Sequence, residues 1–198
     1  MPIELTLPDT LTPRQKAAAS KISNELTYEW LEKVIVLVVT QHYPVSIRQV
    51  DWFVTNYSKT HKTCYPYAND TAKRIFDVHE EYKSTRDSYG RKLFDPFRRM
   101  GKHKQFRVAF TVKGQEYETT LAQLIFWDWA DQHDVLQYCI KHSEDIDEHM
   151  MKMLELREKR RKQTGKRKRS PLSKTSDANA TGGCIIIEAK CRTCFGDQ

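Results

Sequence analysis

The chain has 198 residues, a formal charge of +7, 39% hydrophobic and 30% charged residues. This supports one core with a tail, and the longest apolar run, Val34 to Val39, falls far short of the roughly 20 residues that span a bilayer. The start, Met-Pro-Ile-Glu-Leu, has no basic segment followed by an apolar stretch, so no secretory signal is expected. The five cysteines then read as reduced thiols of the cytosol or nucleus.

Charge and aromatics divide the chain. Residues 1–150 hold 20 Lys+Arg against 21 Asp+Glu, whereas residues 151–198 hold 13 against 5. Of the 21 aromatic residues only Phe195 follows residue 150. The core is therefore expected early and the cationic character late. Within the first part, 86–107 is net +6 and 128–148 is net −6. Such patches could pair within one molecule or between copies, or remain solvated.

In chain order, Thr12-Pro13 predicts a helix start, with Thr as cap and Pro at the first turn. Leu26, Trp30, Leu31, Val34, Ile35 and Val38 recur at spacings of three and four, as in a core-facing helix. The β-branched stretch 34–39 also suits a strand. Ser46 caps a second helix carrying Val50, Phe53, Val54 and Tyr57. Residues 58–69 read as a polar loop with a short strand at Cys64-Tyr65. Residues 71–90 read as one helix, with Ile75, Val78 and Tyr82 on one side and Gly90 at its end.

Phe106 to Val112 alternates at period two, Lys113-Gly114 is a tight-turn signal, and Gln115 to Thr119 returns. Thr120 and Gln123 match a capping box opening a helix through Ala130. Trp127 and Trp129, two residues apart, cannot share one helix face, so one of them is expected at a rim or interface. A short helix at 135–140 follows, then an acidic-to-basic helix at 144–162, an order that suits the helix dipole. The expected fold is α+β, mainly helical with one β-hairpin, followed by a disordered basic C-terminal tail. The expected division is a helical lead-in (1–34), a globular domain (35–162) and a flexible basic, Cys-containing tail (163–198).

The strongest chemical signal is the pair of clusters Lys159, Arg160, Arg161, Lys162 and Lys166, Arg167, Lys168, Arg169. Flexible cations can track phosphates and release counterions, and the spacing also suits a bipartite nuclear localisation signal. The plainer reading is a solvating tail. Ser170-Pro171 beside it is a candidate phosphorylation site. Phe94 and Phe97 can anchor a corner turned by Asp95-Pro96, from which Arg98 and Arg99 would project as further phosphate contacts or pair with the acidic 144–148 segment. Cys184, Cys191 and Cys194 supply three thiols, one short of a closed zinc site, so no metal is assigned. The histidines show no metal-ligand spacing, no phosphate-cradling glycine loop exists, and no nucleophile has an identifiable partner. No catalytic residue and no cofactor is expected.

Three segments resemble an uncharacterised family of large nucleocytoplasmic DNA viruses. They are Val50-Asp51-Trp52-Phe53-Val54-Thr55-Asn56-Tyr57-Ser58-Lys59, then Val78-His79, Tyr82-Lys83 and Phe94 to Arg99, and finally Thr119 to Leu124 with Phe126, Trp129-Ala130 and Val135 to Tyr138. The resemblance covers about residues 45–150 and implies a viral protein without implying an activity. The expected function is non-enzymatic: electrostatic binding of nucleic acid, DNA without sequence-specific reading, through the basic tail, in the nucleus, a virus factory or the virion. The alternative is a virion structural or assembly protein, a minor capsid or scaffold component, that contacts other viral proteins or itself. No membrane contact is expected.

Overall fold

The computed structural model describes residues 3–9, 11–67, 74–91, 93–97 and 107–163. They divide into two units, Met1–Arg157 and Glu158–Gln198. Among the described residues, all of the buried core lies in the first.

Helix α1 is Pro13–Glu25. Thr12 Oγ1 accepts from the Gln15 amide, and Gln15 Oε1 accepts from the Thr12 amide at 2.8 Å. Pro13, at the first helical position, loses no bond there. Helix α2 joins Tyr28–Trp30, the π-helical Leu31–Val36 and Leu37–Val39, so the β-branched stretch is helical. Helix α3 joins Ile47–Trp52, the π-helical Phe53–Tyr57 and Ser58–His61. Within α3, Thr55, Ser58 and Thr60 donate their hydroxyls to carbonyls four residues back. These bonds supply partners where the wider turn disturbs the α-helical ladder. Lys62, in the left-handed region at φ 48°, ends α3.

The segment expected as one helix from residue 71 divides. Strand β2 (Ile75–Asp77) pairs antiparallel with β1 (Cys64–Pro66), Tyr65 opposite Phe76. Helix α4 (Val78–Tyr89) begins only after Asp77, whose carboxylate accepts from the amides of His79 and Glu80. Asp77 is therefore the stop signal for β2 and the cap of α4. Residues 58–61, expected in a loop, form the last turn of α3.

Strands β3 (Arg107–Val112) and β4 (Gln115–Thr120) form the expected hairpin. Its two-residue turn has Lys113 and Gly114 at φ 51° and 79°, positive at both central positions as a type I′ turn requires. Thr6 bridges Ala109 on the other side of β3. The fold is thus α+β, mainly helical, with two small antiparallel sheets.

Helix α5 (Leu121–Gln132) occupies the centre. Leu121, Ala122, Leu124, Ile125, Phe126, Trp127, Trp129 and Ala130 are all buried, so this helix is enclosed on every side. Neither tryptophan lies at a rim: Trp127 is 0% and Trp129 6% exposed. Trp129 meets Phe76, Tyr82, Phe94 and Phe126, while Trp127 meets the edge of Tyr43. Thr120 caps α5 from its hydroxyl, but the Gln123 side chain does not return the bond. Its amide accepts from the Thr119 hydroxyl and donates to the Pro96 carbonyl, tying the 93–97 segment to the helix. Phe94 is fully buried there, whereas Phe97 is exposed, so the corner has one anchor and not two.

Helices α6 (Val135–Lys141) and α7 (Ser143–Gln163) are the last of the described elements. Residues 1–34 share the core, through Ile3, Ala19, Ile22, Leu26, Leu31 and Val34. Of the second unit, residues 158–163 are described: they are the last residues of α7 and all are exposed.

Candidate nucleic-acid interface

Within the first unit, α7 is held to α3 by an inward stripe. Ile146 is buried, Met150 and Met153 pack against the core, and Arg157 lies 5.3 Å from the centre of the Trp52 ring. Arg157 also donates to Asn56 Oδ1 at 3.4 Å. Gln49, which caps α3 with Ser46, donates to Asp147 Oδ2 at 2.8 Å. One glutamine thus closes a helix start and pins a second helix.

Around this joint sits a cluster of rings. Tyr57 stacks on His61 at 4.0 Å between centres, and His61 meets His149 at 5.1 Å. With Asp145, Glu148 and Lys152 they line a concavity of about 250 Å³. Trp52 Nε1 donates to Nδ1 of His149 at 3.1 Å, which places the proton of the neutral imidazole on Nε2. Burial lowers the His149 pKa, and His61 and then Lys152 lower it further. In this arrangement neither ring nitrogen of His149 presents a free lone pair. Among the described residues no group of three His, Cys, Asp or Glu could hold a metal ion. Burial also drives the Cys139 thiol up, so it stays protonated and unreactive.

Lys159, Arg160, Arg161 and Lys162 lie on the last turns of α7, exposed. Successive helical residues point about 100° apart, so these four cations ring the helix and do not share one face. Lys162 pairs with Glu158 at 3.8 Å, both side chains mostly in solvent. Lys166, Arg167, Lys168 and Arg169 lie outside the described residues, as do Arg98, Arg99, Cys184, Cys191 and Cys194. Of the two clusters, the structure describes the first.

Some described members of the two opposed patches are engaged locally. Arg86 pairs with Asp87 at 3.2 Å, and Arg107 pairs with Glu118. On the acidic side, Asp131 accepts from the Trp30 indole at 2.8 Å and Asp147 from Gln49. Two acids in this body are pushed up to about 6: Asp51, chiefly by burial and also by Asp95, and Asp128, chiefly by burial and also by Glu25 and Asp131.

The features that sequence reading missed are Arg157 on Trp52 and the Trp52–His149 bond. The partners are 105 and 97 residues apart, and His149 sits among acids that mark it as a surface residue. The weak signal was position: His149, like Ile146, Met150 and Met153, falls on the inward stripe of α7.

The family's sequence pattern matches residues 27–194 of this chain. The chain belongs to DUF7197, a family of unknown function. The match reaches well beyond 45–150 in both directions, taking in α2 and most of the basic tail, including Cys191 and Cys194. The chain is also similar to the uncharacterized protein L507 of Acanthamoeba polyphaga mimivirus, with 33% identity over 117 residues. That alignment covers 57% of this chain and 44% of L507, so the chain spans under half of that relative's length. Together the two matches place it in an uncharacterised family of large nucleocytoplasmic DNA viruses. No solved structure matches it. Among the described residues, no helix is long and apolar enough to cross a membrane.

Proposed function

We propose that this viral protein is non-enzymatic and binds nucleic acid electrostatically, through the cations of residues 159–169. The single supporting observation is the exposed ring of Lys159, Arg160, Arg161 and Lys162 on the last turns of α7, with Lys166–Arg169 following four residues later in sequence. A ring of cations has no preferred face, so it suits a backbone of phosphates and not the edges of particular bases. Affinity then comes from counterion release, and the ligand is DNA read without sequence specificity. The site of action on this reading is the infected nucleus, the virus factory or the packaged genome.

The test is duplex-DNA affinity of the full chain beside a variant in which the eight Lys and Arg of 159–162 and 166–169 become Gln. Loss of most of the affinity in the variant supports the reading, and equal affinity excludes it. A second reading, a virion assembly protein acting through protein contacts, draws on Met151 and Leu156, which are 57% and 39% exposed on α7.

A further inference from the structure

The β3–β4 hairpin has one edge covered and one open. Val112 and Gln115 flank its two-residue turn, so they exchange backbone bonds, and every second pair after them does the same. The amides and carbonyls of Ala109 on β3, and of Glu116 and Glu118 on β4, therefore point away from the neighbouring strand. On β3 this edge is taken: Ala109 exchanges both bonds with Thr6, at 2.8 and 3.2 Å. On β4 it is free: among the described residues the outward groups of Glu116 and Glu118 have no backbone partner.

The surroundings of the open edge select the strand that fits. Glu116 and Glu118 are exposed on one face of β4, while Tyr117, on the other, packs against the core. Glu118 also lines a concavity of about 640 Å³ with Val38, Val39, Tyr43, Val45 and Ile47. Val38, Tyr43 and Ile47, like Tyr117, pack against the core. Of the cations beside the hairpin, Arg107 is paired with Glu118 and Lys113 with Glu32, whereas Glu116 has no ion-pair partner among the described residues. A second copy does not suit this edge, because β4 laid antiparallel on itself sets Glu116 against Glu118 twice.

We propose that β4 takes up an antiparallel strand from a partner protein, with Lys or Arg at every second position and apolar residues between. The cations lie opposite Glu116 and Glu118 and share their face, and the apolar residues fall on the core side, against the wall of Val38, Val39 and Ile47. Main-chain bonds supply the affinity and the alternation supplies the choice of partner. This contact is independent of the nucleic-acid reading and uses no residue of 159–169.

The test is fluorescence anisotropy of a labelled Val-Lys-Val-Lys-Val-Lys-Val peptide with the full chain at low salt, beside peptides N-methylated at the Lys or at the Val amides. The unmodified peptide should bind saturably. In an antiparallel pair the Lys amides donate to β4 and the Val amides point away, so methylating the first should abolish binding and methylating the second should spare it. Glu116→Pro removes one outward donor and none of the hairpin's own bonds, so it should fold as the parent does by circular dichroism and bind roughly tenfold more weakly. Glu116→Lys should weaken the Lys peptide and favour its Glu counterpart. A peptide that fails to bind, methylated peptides that bind alike, or a folded Glu116→Pro that binds as the parent does each overturn the proposal. So does a parent that dimerises in sedimentation and loses the dimer in Glu116→Pro, since that result gives the edge to a second copy.

Discussion

Trp52 and His149, 97 residues apart, are joined by an indole N–H that donates to Nδ1 of the imidazole at 3.1 Å. The bond exists only while that nitrogen is unprotonated. It ties α3 to α7 at the joint where Arg157 covers the same indole.

This relationship has a pH signature. The folded pKa of His149 lies below its ordinary value of 6.5, through burial, His61 and Lys152, although Asp145 and Glu148 line the same concavity. A base held neutral by folding contributes stability that is complete above about pH 6.5 and lost as pH falls below it. His133, lowered by burial, acts in the same direction. Asp51 and Asp128 oppose this trend between pH 7 and pH 5. The reading is therefore the gap between the urea midpoints of the parent and Trp52→Phe, which should narrow as pH falls from 7 towards 5. A gap that stays constant would remove the bond from the account.

Asp51 works with the opposite sign. Burial and Asp95 raise its carboxyl to about 6, so folding favours the protonated form. Stability is lost as pH rises through the window between about 4 and about 6. Asp51→Asn should raise stability by about 1 kcal/mol near neutral pH, discounted for its partial exposure, and by almost nothing near pH 4. Thermal melts at the two pH values read this directly; a gain of equal size at both would contradict it.

Gln49 has two tasks, capping α3 and holding Asp147. Gln49→Ala should cost about 1–2 kcal/mol, the sum of a lost cap and a lost hydrogen bond. Gln49→Glu keeps the capping acceptor but sets a carboxylate against Asp147, so its cost should shrink as pH is lowered towards 4. A pH-independent cost for Gln49→Glu would show that the Asp147 contact contributes little.

The caps and the hairpin were legible because their signals are local. Thr12 with Gln15, Ser46 with Gln49 and Lys113-Gly114 each fix a backbone geometry within four residues. The start of α4 was not legible, because Ile75-Phe76-Asp77 becomes a strand only by pairing with Cys64–Pro66. The two tryptophans of α5 misled for a related reason. A face argument assumes that a helix has an outside, and α5 has almost none. The cationic run of the candidate site was plain in the sequence, since charge needs no partner to be read. The rings beside Arg157 were hidden, since α3 and α7 meet only in the folded chain.

The most direct measurement is the affinity of the full chain for duplex DNA across a salt series. Phosphate contacts give a log–log slope near −0.9 for each phosphate neutralised. The expected result is a slope of several units for the parent, falling towards zero when the eight cations of 159–162 and 166–169 become Gln. A parent that fails to bind at low salt, or a slope that the substitutions leave unchanged, would contradict the proposed function.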